Sequence, residues 1–214
     1  MSPGVFITLE GIEGAGKSTV AAWLSQWLGE RGLTVRLTRE PGGTALAERV
    51  RRIVLERGSE QVSAEAETLL MFAARAIHLD NLVRPALAAG EWVLSDRFTD
   101  ATRAYQGAGS GVEPQWIEAL AERVHGDLAP QCTLLLDVPV KLGLARARAR
   151  RGESDRIEAE AQAFFERVRT GYLALARREP QRIRLIEAAA PVESVREQVA
   201  AALQPWLTAA GVRT

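Results

Sequence analysis

A glycine-rich segment near the N-terminus carries the clearest chemical pattern in the sequence. Residues 11–18 read GIEGAGKS, which is glycine, four further residues, glycine, lysine and serine. Glycines let successive backbone N–H groups converge on an anion, the lysine adds positive charge, and the serine hydroxyl is a ligand for Mg²⁺. The segment therefore predicts a loop that binds nucleotide phosphates through Gly11, Ile12, Glu13, Gly14, Ala15, Gly16, Lys17, Ser18 and Thr19.

Charged residues also follow the other apolar segments. Asp96 ends one such segment and suits a carboxylate that holds Mg²⁺ through water, beside Ser18. Arg39 and Arg97 follow two different segments. Guanidinium groups bind phosphate through paired hydrogen bonds, so we expect the two arginines to clamp a second phosphate that the loop does not hold.

A dense run of arginines lies later in the chain, where residues 146–156 read RARARRGESDR. An isolated run of this kind is usually a solvated helix face. Gly152 interrupts it, however, at a point where the segment could close over bound phosphates. We therefore predict a mobile lid at about 146–157 that brings Arg148, Arg150 or Arg151 to the transferring group.

These residues can act together only if the fold brings them to one edge of a sheet. The hydrophobic periodicity of the sequence predicts such a fold. Residues 5–10 are mostly apolar and predict a buried strand before the loop, and residues 18–30 have helical spacing after it. Further strands are predicted at residues 33–38, 91–96, 132–137 and 182–187, with helices between them. The prediction is one α/β domain over residues 1–214, with an open parallel five-stranded sheet, helices on both faces and ligands at the carboxyl ends of the strands.

The amino-acid composition limits the kinds of binding partner that the chain is expected to have. Lys plus Arg and Asp plus Glu both number 27 among 214 residues, so no overall field favours nucleic acid or a membrane, and we expect neither as a partner. The single cysteine, Cys132, excludes an internal disulfide and lies in an apolar run. No signal peptide or membrane-spanning run is evident, and we expect a cytoplasmic protein.

Several longer motifs resemble bacterial thymidylate kinases across nearly the whole chain. They are GIEGAGKST at residues 11–19, TREPGGT at 38–44, LLMFAARAIH at 69–78, SDRF at 95–98, AYQGAG at 104–109, LLLDVP at 134–139 and RARARRGESDRIE at 146–158. The resemblance implies the P-loop nucleoside-monophosphate kinase fold and phosphorylation of dTMP to dTDP with ATP and Mg²⁺, a step of dTTP biosynthesis. It also implies a homodimer.

The resemblance further implies roles for individual residues. Lys17, Arg97, Glu13 and the lid arginines would be catalytic, as in the subtype whose catalytic arginine comes from the lid. Substrate contacts would come from Glu10 near the deoxyribose, Arg39 and Arg97 on the phosphate, Phe72 stacked on thymine, Arg75, Thr102 and Gln106 on the base, and Tyr105 against a ribose 2′-hydroxyl. Without the resemblance, Phe72 would be assigned to the core. Ala101 replaces a serine common in relatives, and an additional lid arginine leaves the roles of Arg150 and Arg151 open.

Two other functions are compatible with a phosphate-binding loop. A GTP-dependent switch needs an Asn-Lys-x-Asp element, but the only asparagine, Asn81, is followed by leucine. A switch also needs Asp-x-x-Gly, which is absent from the sequence. A kinase for another acceptor, such as dUMP, dCMP or a nucleoside, stays open on the residues alone.

Overall fold

The core of the molecule is a five-stranded parallel sheet with strand order β2-β3-β1-β4-β5. The computed structural model describes residues 4–56, 60–151 and 159–212. Its strands are β1 (Phe6–Glu10), β2 (Val35–Arg39), β3 (Trp92–Asp96), β4 (Cys132–Asp137) and β5 (Ile183–Glu187). The predicted fold class is confirmed, and the strands agree with the predicted ones to within about two residues.

The central strand β1 is buried along its whole length. Phe6 packs in a cluster with Val93 and Phe98, whereas Ile7 and Leu9 belong to the main core cluster. Successive side chains of a strand point to opposite faces, so apolar layers cover both sides of the sheet. This double burial explains why β1 reads as a continuous apolar run rather than as an alternating one.

Nine α-helices among the described residues connect and cover the strands. They are α1 (Lys17–Gly29), α2 (Ala45–Leu55), α3 (Ala64–His78), α4 (Arg84–Ala88), α5 (Thr99–Thr102), α6 (Pro114–Val124), α7 (Val140–Arg151), α8 (Ala159–Arg178) and α9 (Val192–Ala209). Two π-helical segments complete the set, π1 (Leu79–Val83) and π2 (Arg103–Gly109).

The π-helical segments depart from the sequence prediction. Ser63 caps α3, since its side chain accepts a hydrogen bond from the Ala66 amide. The apolar spacing from Ser63 to Gly90 predicts one long helix, but the structure has α3, π1 and α4 in succession, with Pro85 in the first turn of α4. A π-helical turn widens the helix locally and shifts the residues that follow it, and such turns occur frequently at functional sites.

The strand register brings the predicted site residues together. Leu9 lies opposite both Asp96 and Leu134, and Asp96 lies opposite Arg39. The loops after β1, β2 and β3 therefore leave the sheet side by side. In the described part of the chain, no helix is both long enough and apolar enough to cross a membrane.

Candidate active site

The phosphate loop joins β1 to α1 and turns sharply at its glycines. Gly14 and Gly16 have φ values of 73° and 93°, which disfavour side chains, and α1 begins at Lys17. Lys17 folds back over the loop, where its Nζ donates to the carbonyl oxygens of Gly11 at 3.0 Å and Ile12 at 2.9 Å. Burial, with repulsion from Arg97, lowers the pKa of Lys17 to about 7. Anionic oxygens would be better partners for this ammonium than the carbonyls it contacts here.

A cavity of about 250 Å³, here called the arginine cavity, opens on one side of the loop. Three arginines line it, Arg51, Arg75 and Arg97. Glu13 from the loop lines it as well. Further lining residues lie on α3, α5 and π2, namely Glu67, Met71, Thr102, Tyr105 and Gln106, and Phe98 lies just before α5. Arg75 is paired with Glu40, one of the carboxylates that also line the cavity, so Arg51 and Arg97 are the cations here that suit an anionic ligand.

Arg97 is held in an unusual backbone conformation at the rim of this cavity. Its φ of 78° makes it the only non-glycine residue with positive φ in the described segments. The Ser95 hydroxyl donates to the Arg97 carbonyl at 2.8 Å and so supports the turn. The guanidinium donates to the Tyr105 hydroxyl at 2.9 Å and lies 4.5 Å from the centre of that ring. Strain of this kind is typical of sites where the side-chain direction matters.

Arg75 is fixed by two acceptors inside the protein. Its Nε donates to Glu40 Oε2 at 2.7 Å and its Nη2 to Thr102 Oγ1 at 3.2 Å. The side chain of Arg75 is 3% exposed, yet its Nη1 has no hydrogen-bond partner. A buried donor without a partner is costly, so Nη1 is the atom that a ligand would satisfy. The same Glu40 contacts His78 Nδ1 at 2.9 Å, which makes His78 a buried part of the network.

Glu10 lies beneath the cavity and not on its surface. Its carboxylate is fully buried and accepts hydrogen bonds from the Phe98 amide and the Tyr172 hydroxyl, both at 2.7 Å. Burial raises its pKa to about 8, with a further contribution from the charge of Asp100 and an opposing one from Arg97. Tyr172 also accepts from Arg97 Nη1 at 3.3 Å. Glu10 therefore acts on Arg97 through Tyr172 rather than through an exposed carboxylate.

A second cavity, the loop cavity, lies on the other side of the phosphate loop. It measures about 360 Å³. Gly14, Gly16 and Thr19 line it from the loop, and Arg146 and Arg150 line it from α7. Arg146 donates to the Ala188 carbonyl at 2.9 Å, so that one arginine is anchored while Arg150 is exposed.

A third cavity, the Ser18 cavity, is lined by Ser18, Asp96 and Arg39 among others. The Asp96 Oδ1 atom is buried without a hydrogen-bond partner. A serine hydroxyl and an unpartnered carboxylate oxygen at one cavity are hard oxygen donors, which suit Mg²⁺. Among the described residues no cluster of three acidic, histidine or cysteine side chains could hold a metal alone. The residues present thus fit Mg²⁺ that is bound together with phosphate oxygens.

Two predicted substrate residues lie elsewhere than expected. Arg39 is 55% exposed, pairs with Glu48 at 3.1 Å and lines the Ser18 cavity rather than the arginine cavity. Phe72 is 2% exposed and packs in a core cluster with Val112 and Ile117. Its ring supports the Arg75 guanidinium at 4.7 Å. Phe72 therefore lies in the core, as expected for an aromatic residue on an apolar stripe, and not at a position where it stacks on thymine.

The lid arginines are described only in part. Arg148 is half-buried on α7 and its Nη1 has no partner, while Arg150 faces the loop cavity. Residues 152–157 of the predicted lid, and the side chain of Arg151, lie outside the described part of the structure.

Sequence reasoning also missed residues that the fold brings to the site. Arg51 lines the arginine cavity from α2, where its Nη1 donates to the Pro41 carbonyl at 2.7 Å. Met71 lies beside it, and Tyr172 reaches Glu10 from α8. Arg51 sits in the helical run Arg49, Arg51, Arg52, and no local signal separates it from its exposed neighbours. Tyr172 is 162 residues from its partner, so only the fold reveals the contact.

Comparison of the chain with known protein families agrees with the resemblance seen in its sequence motifs. The protein-family description "Thymidylate kinase" matches residues 9–199. The chain belongs to the thymidylate kinase family. It is 57% identical to the thymidylate kinase of Pseudomonas putida strain W619 over 93% of this chain and 96% of that one. It is 54% identical to the thymidylate kinase of Alcanivorax borkumensis, over 92% and 94% respectively.

A solved structure agrees with the sequence comparison. The crystal structure of thymidylate kinase from Ehrlichia chaffeensis superposes with a TM-score of 0.75 at 32% identity, covering 94% of this chain and 99% of that chain. Membership of the thymidylate kinase family confirms the predicted activity, which is phosphorylation of dTMP to dTDP with ATP and Mg²⁺.

Proposed function

We propose that ATP and dTMP bind on opposite sides of the phosphate loop, ATP in the loop cavity and dTMP in the arginine cavity. One observation carries the proposal: Glu13 lines the arginine cavity, and the adjacent Gly14 lines the loop cavity. A phosphate gathered by the loop between them would be within reach of ligands in both cavities. Transfer between two bound substrates needs this alignment more than it needs covalent chemistry from the protein.

On the donor side, residues 11–19 would carry the ATP phosphates. The backbone N–H groups before α1 bind phosphate at a helix N-terminus, and Lys17 would exchange its two carbonyl contacts for phosphate oxygens. Ser18 and Asp96 would hold Mg²⁺. When bound, Mg²⁺ neutralises charge that builds up on the phosphate oxygens.

On the acceptor side, Arg97 and Arg51 would hold the dTMP phosphate. Arg51 takes the position that the sequence assigned to Arg39, because Arg51 and Arg97 line one cavity. Arg75, Thr102 and Gln106 would contact the base, and Tyr105 would exclude a ribose 2′-hydroxyl. Glu10 would orient Arg97 through Tyr172.

The lid would supply the remaining positive charge. Arg150 lines the donor side, and Arg148 carries an unpartnered Nη1 on the same helix. We propose that Arg148, Arg150 or Arg151 acts on the transferring phosphoryl group and that Glu13 positions it. An arginine that acts mainly in the transition state raises kcat rather than lowering KM.

Assembly and location complete the proposal. Exposed apolar side chains lie on α2 and α3, which pack against each other: Leu46 and Ile53, seven residues apart and so on one face of α2, and Leu69 on α3. Exposed apolar groups on neighbouring helices are typical of interaction sites, so we propose that these helices form the homodimer interface. Light scattering of an Ile53→Glu variant should give the mass of a monomer. We place the protein in the cytoplasm, where ATP and dTMP would both be available.

Two measurements test the proposal: the preference of the protein among phosphate acceptors, and the KM for dTMP of two arginine variants. With ATP and Mg²⁺, dTMP should be the preferred acceptor among dTMP, dUMP, dCMP and thymidine. Arg51→Ala should raise the KM for dTMP about tenfold or more, because a charge-assisted contact is lost. The exposed Arg49 offers the matched control, Arg49→Ala, which should leave KM unchanged. Equal KM values in both variants would remove Arg51 from the site.

A further inference from the structure

The side-chain amide of Gln106 has a hydrogen-bond donor at one end, the Nε2 group, and an acceptor at the other, the Oε1 atom. The residue is 5% exposed and lies on π2, in the wall of the arginine cavity. Its Nε2 donates to Glu67 Oε1 on α3 at 2.8 Å. No other hydrogen bond involves the Gln106 side chain among the residues that the structure describes. The amide oxygen is therefore the end left available to a ligand.

Glu67 determines this orientation. An ionised carboxylate only accepts hydrogen bonds, so it pairs with the amide nitrogen and never with the amide oxygen. The terminal torsion of glutamine has little preference of its own, and either end could otherwise face the cavity. Glu67 lies in the first turn of α3, which faces π2 across the cavity.

Arg75 supplies the complementary group in the same cavity. A guanidinium only donates, and the Arg75 Nη1 is its buried donor without a partner. The cavity thus offers one donor of fixed identity from Arg75 and one acceptor of fixed identity from Gln106. A pyrimidine with a 4-oxo group and an N3–H matches this pair. A 4-amino pyrimidine presents an amino donor and an unprotonated N3, which is the reverse pattern.

We propose that Glu67 is a specificity-positioning residue, which holds the Gln106 amide with its oxygen toward the ligand and so makes the site select 4-oxo over 4-amino pyrimidine nucleotides. The inference rests on the proposed function, in which this cavity binds the acceptor base. Glu67 does not need to contact the substrate for this role. Its effect should therefore appear in the choice between bases rather than in the chemical step.

The test compares kcat/KM for dTMP, dUMP and dCMP at saturating ATP and Mg²⁺. In Glu67→Ala the Gln106 amide can turn, and the dTMP/dCMP ratio should fall about tenfold, mainly through KM, which corresponds to one hydrogen bond to the base. The dTMP/dUMP ratio should not change, because both bases carry the 4-oxo group. In Glu67→Gln the new amide can pair with either end of Gln106, so the dTMP/dCMP ratio should fall to an intermediate value.

Controls separate the possible failures. Glu65 lies in the same helical turn and is exposed, so Glu65→Ala should keep the wild-type ratios. If Glu67→Ala does not fold, Glu67→Gln carries the test. An unchanged dTMP/dCMP ratio, or an equal loss for all three acceptors, overturns the role of Glu67. If Gln106→Ala leaves the KM for dTMP unchanged, the proposed base site itself fails, and the inference fails with it.

Discussion

Tyr172 on α8 donates a 2.7 Å hydrogen bond from its hydroxyl to the carboxylate of Glu10 at the end of β1. The same hydroxyl accepts from Arg97 at 3.3 Å. Three segments distant in sequence are thus joined by one phenolic oxygen beneath the acceptor site. This contact also ties α8, which follows the predicted lid in sequence, to the residue proposed to hold the dTMP phosphate.

Removal of that oxygen should lower stability. In Tyr172→Phe one Glu10 oxygen loses its partner while it stays buried, which costs about 1–3 kcal/mol of unfolding free energy. Urea denaturation measures the loss. Tyr105→Phe is the comparison, because Tyr105 contacts Arg97 and makes no hydrogen bond to Glu10. Equal stability losses in the two variants would contradict the assigned role of Tyr172.

Lys17→Ala should lower kcat by about 10³-fold or more, because a cation on the transferring phosphate matters most in the transition state. Steady-state kinetics with dTMP and ATP give the value, and thermal unfolding shows whether the fold persists. Lys141, the other lysine of the chain, is exposed on α7. Lys141→Ala should therefore retain wild-type kcat. A Lys17→Ala enzyme with near-normal kcat would refute the phosphate-loop assignment.

Phe72→Ala should reduce stability rather than act selectively on dTMP. The ring is fully packed in a core cluster, and its removal costs about 3–5 kcal/mol. Met71 lines the arginine cavity, so Met71→Ala should raise the KM for dTMP with a smaller loss of stability. Thermal denaturation and kinetics on both variants distinguish the roles. A stable Phe72→Ala protein with a raised KM for dTMP alone would restore the stacking role.

The lid arginines should affect kcat more than KM. Arg148→Ala, Arg150→Ala and Arg151→Ala are tested singly, and the variant that removes the catalytic arginine should lower kcat by about a hundredfold or more. Glu13→Gln should have a smaller effect, and combined with the lid variant it should be less than additive. Wild-type kcat in all three lid variants would return the cluster to a solvated helix face.

His125 should contribute to acid sensitivity. Burial, with repulsion from Arg75 and Arg103, lowers its pKa from 6.5 to about 4. Between these values the unfolded chain binds a proton that the folded protein does not, so stability falls as pH drops from 6.5 toward 4. Allowing for its partial exposure, the loss is roughly 1–2 kcal/mol. In His125→Gln the unfolding free energy, measured by denaturation at pH 7 and pH 4.5, should fall less between these pH values than in the wild type. An equal fall in both proteins would contradict the contribution of His125.

Local patterns predicted the strands and the phosphate loop, because burial on both faces and glycine turns leave a signature within a few residues. That Arg51 and not Arg39 lines the arginine cavity could not be predicted, since the direction of the Arg39 side chain depends on its ion pair with Glu48. The interruption of the long helix by π1 likewise has no local composition signal. Phe72 and Met71 are adjacent in sequence, and only the rotation of α3 decides which one faces the cavity.

The approach of Gly14 to Gly143 has a consequence for the width of the donor site. A methyl group on Gly14 would lie 1.8 Å from the Gly143 carbonyl oxygen, and one on Gly143 would lie 2.7 Å from the Glu13 carbonyl oxygen. The phosphate loop and the first turn of α7 therefore touch through bare main chain. A side chain at either position would therefore push the loop and the start of α7 apart. The separation between the phosphate loop and the arginine-bearing helix is thus set by two glycines, so a single methyl group at either one would widen the donor site.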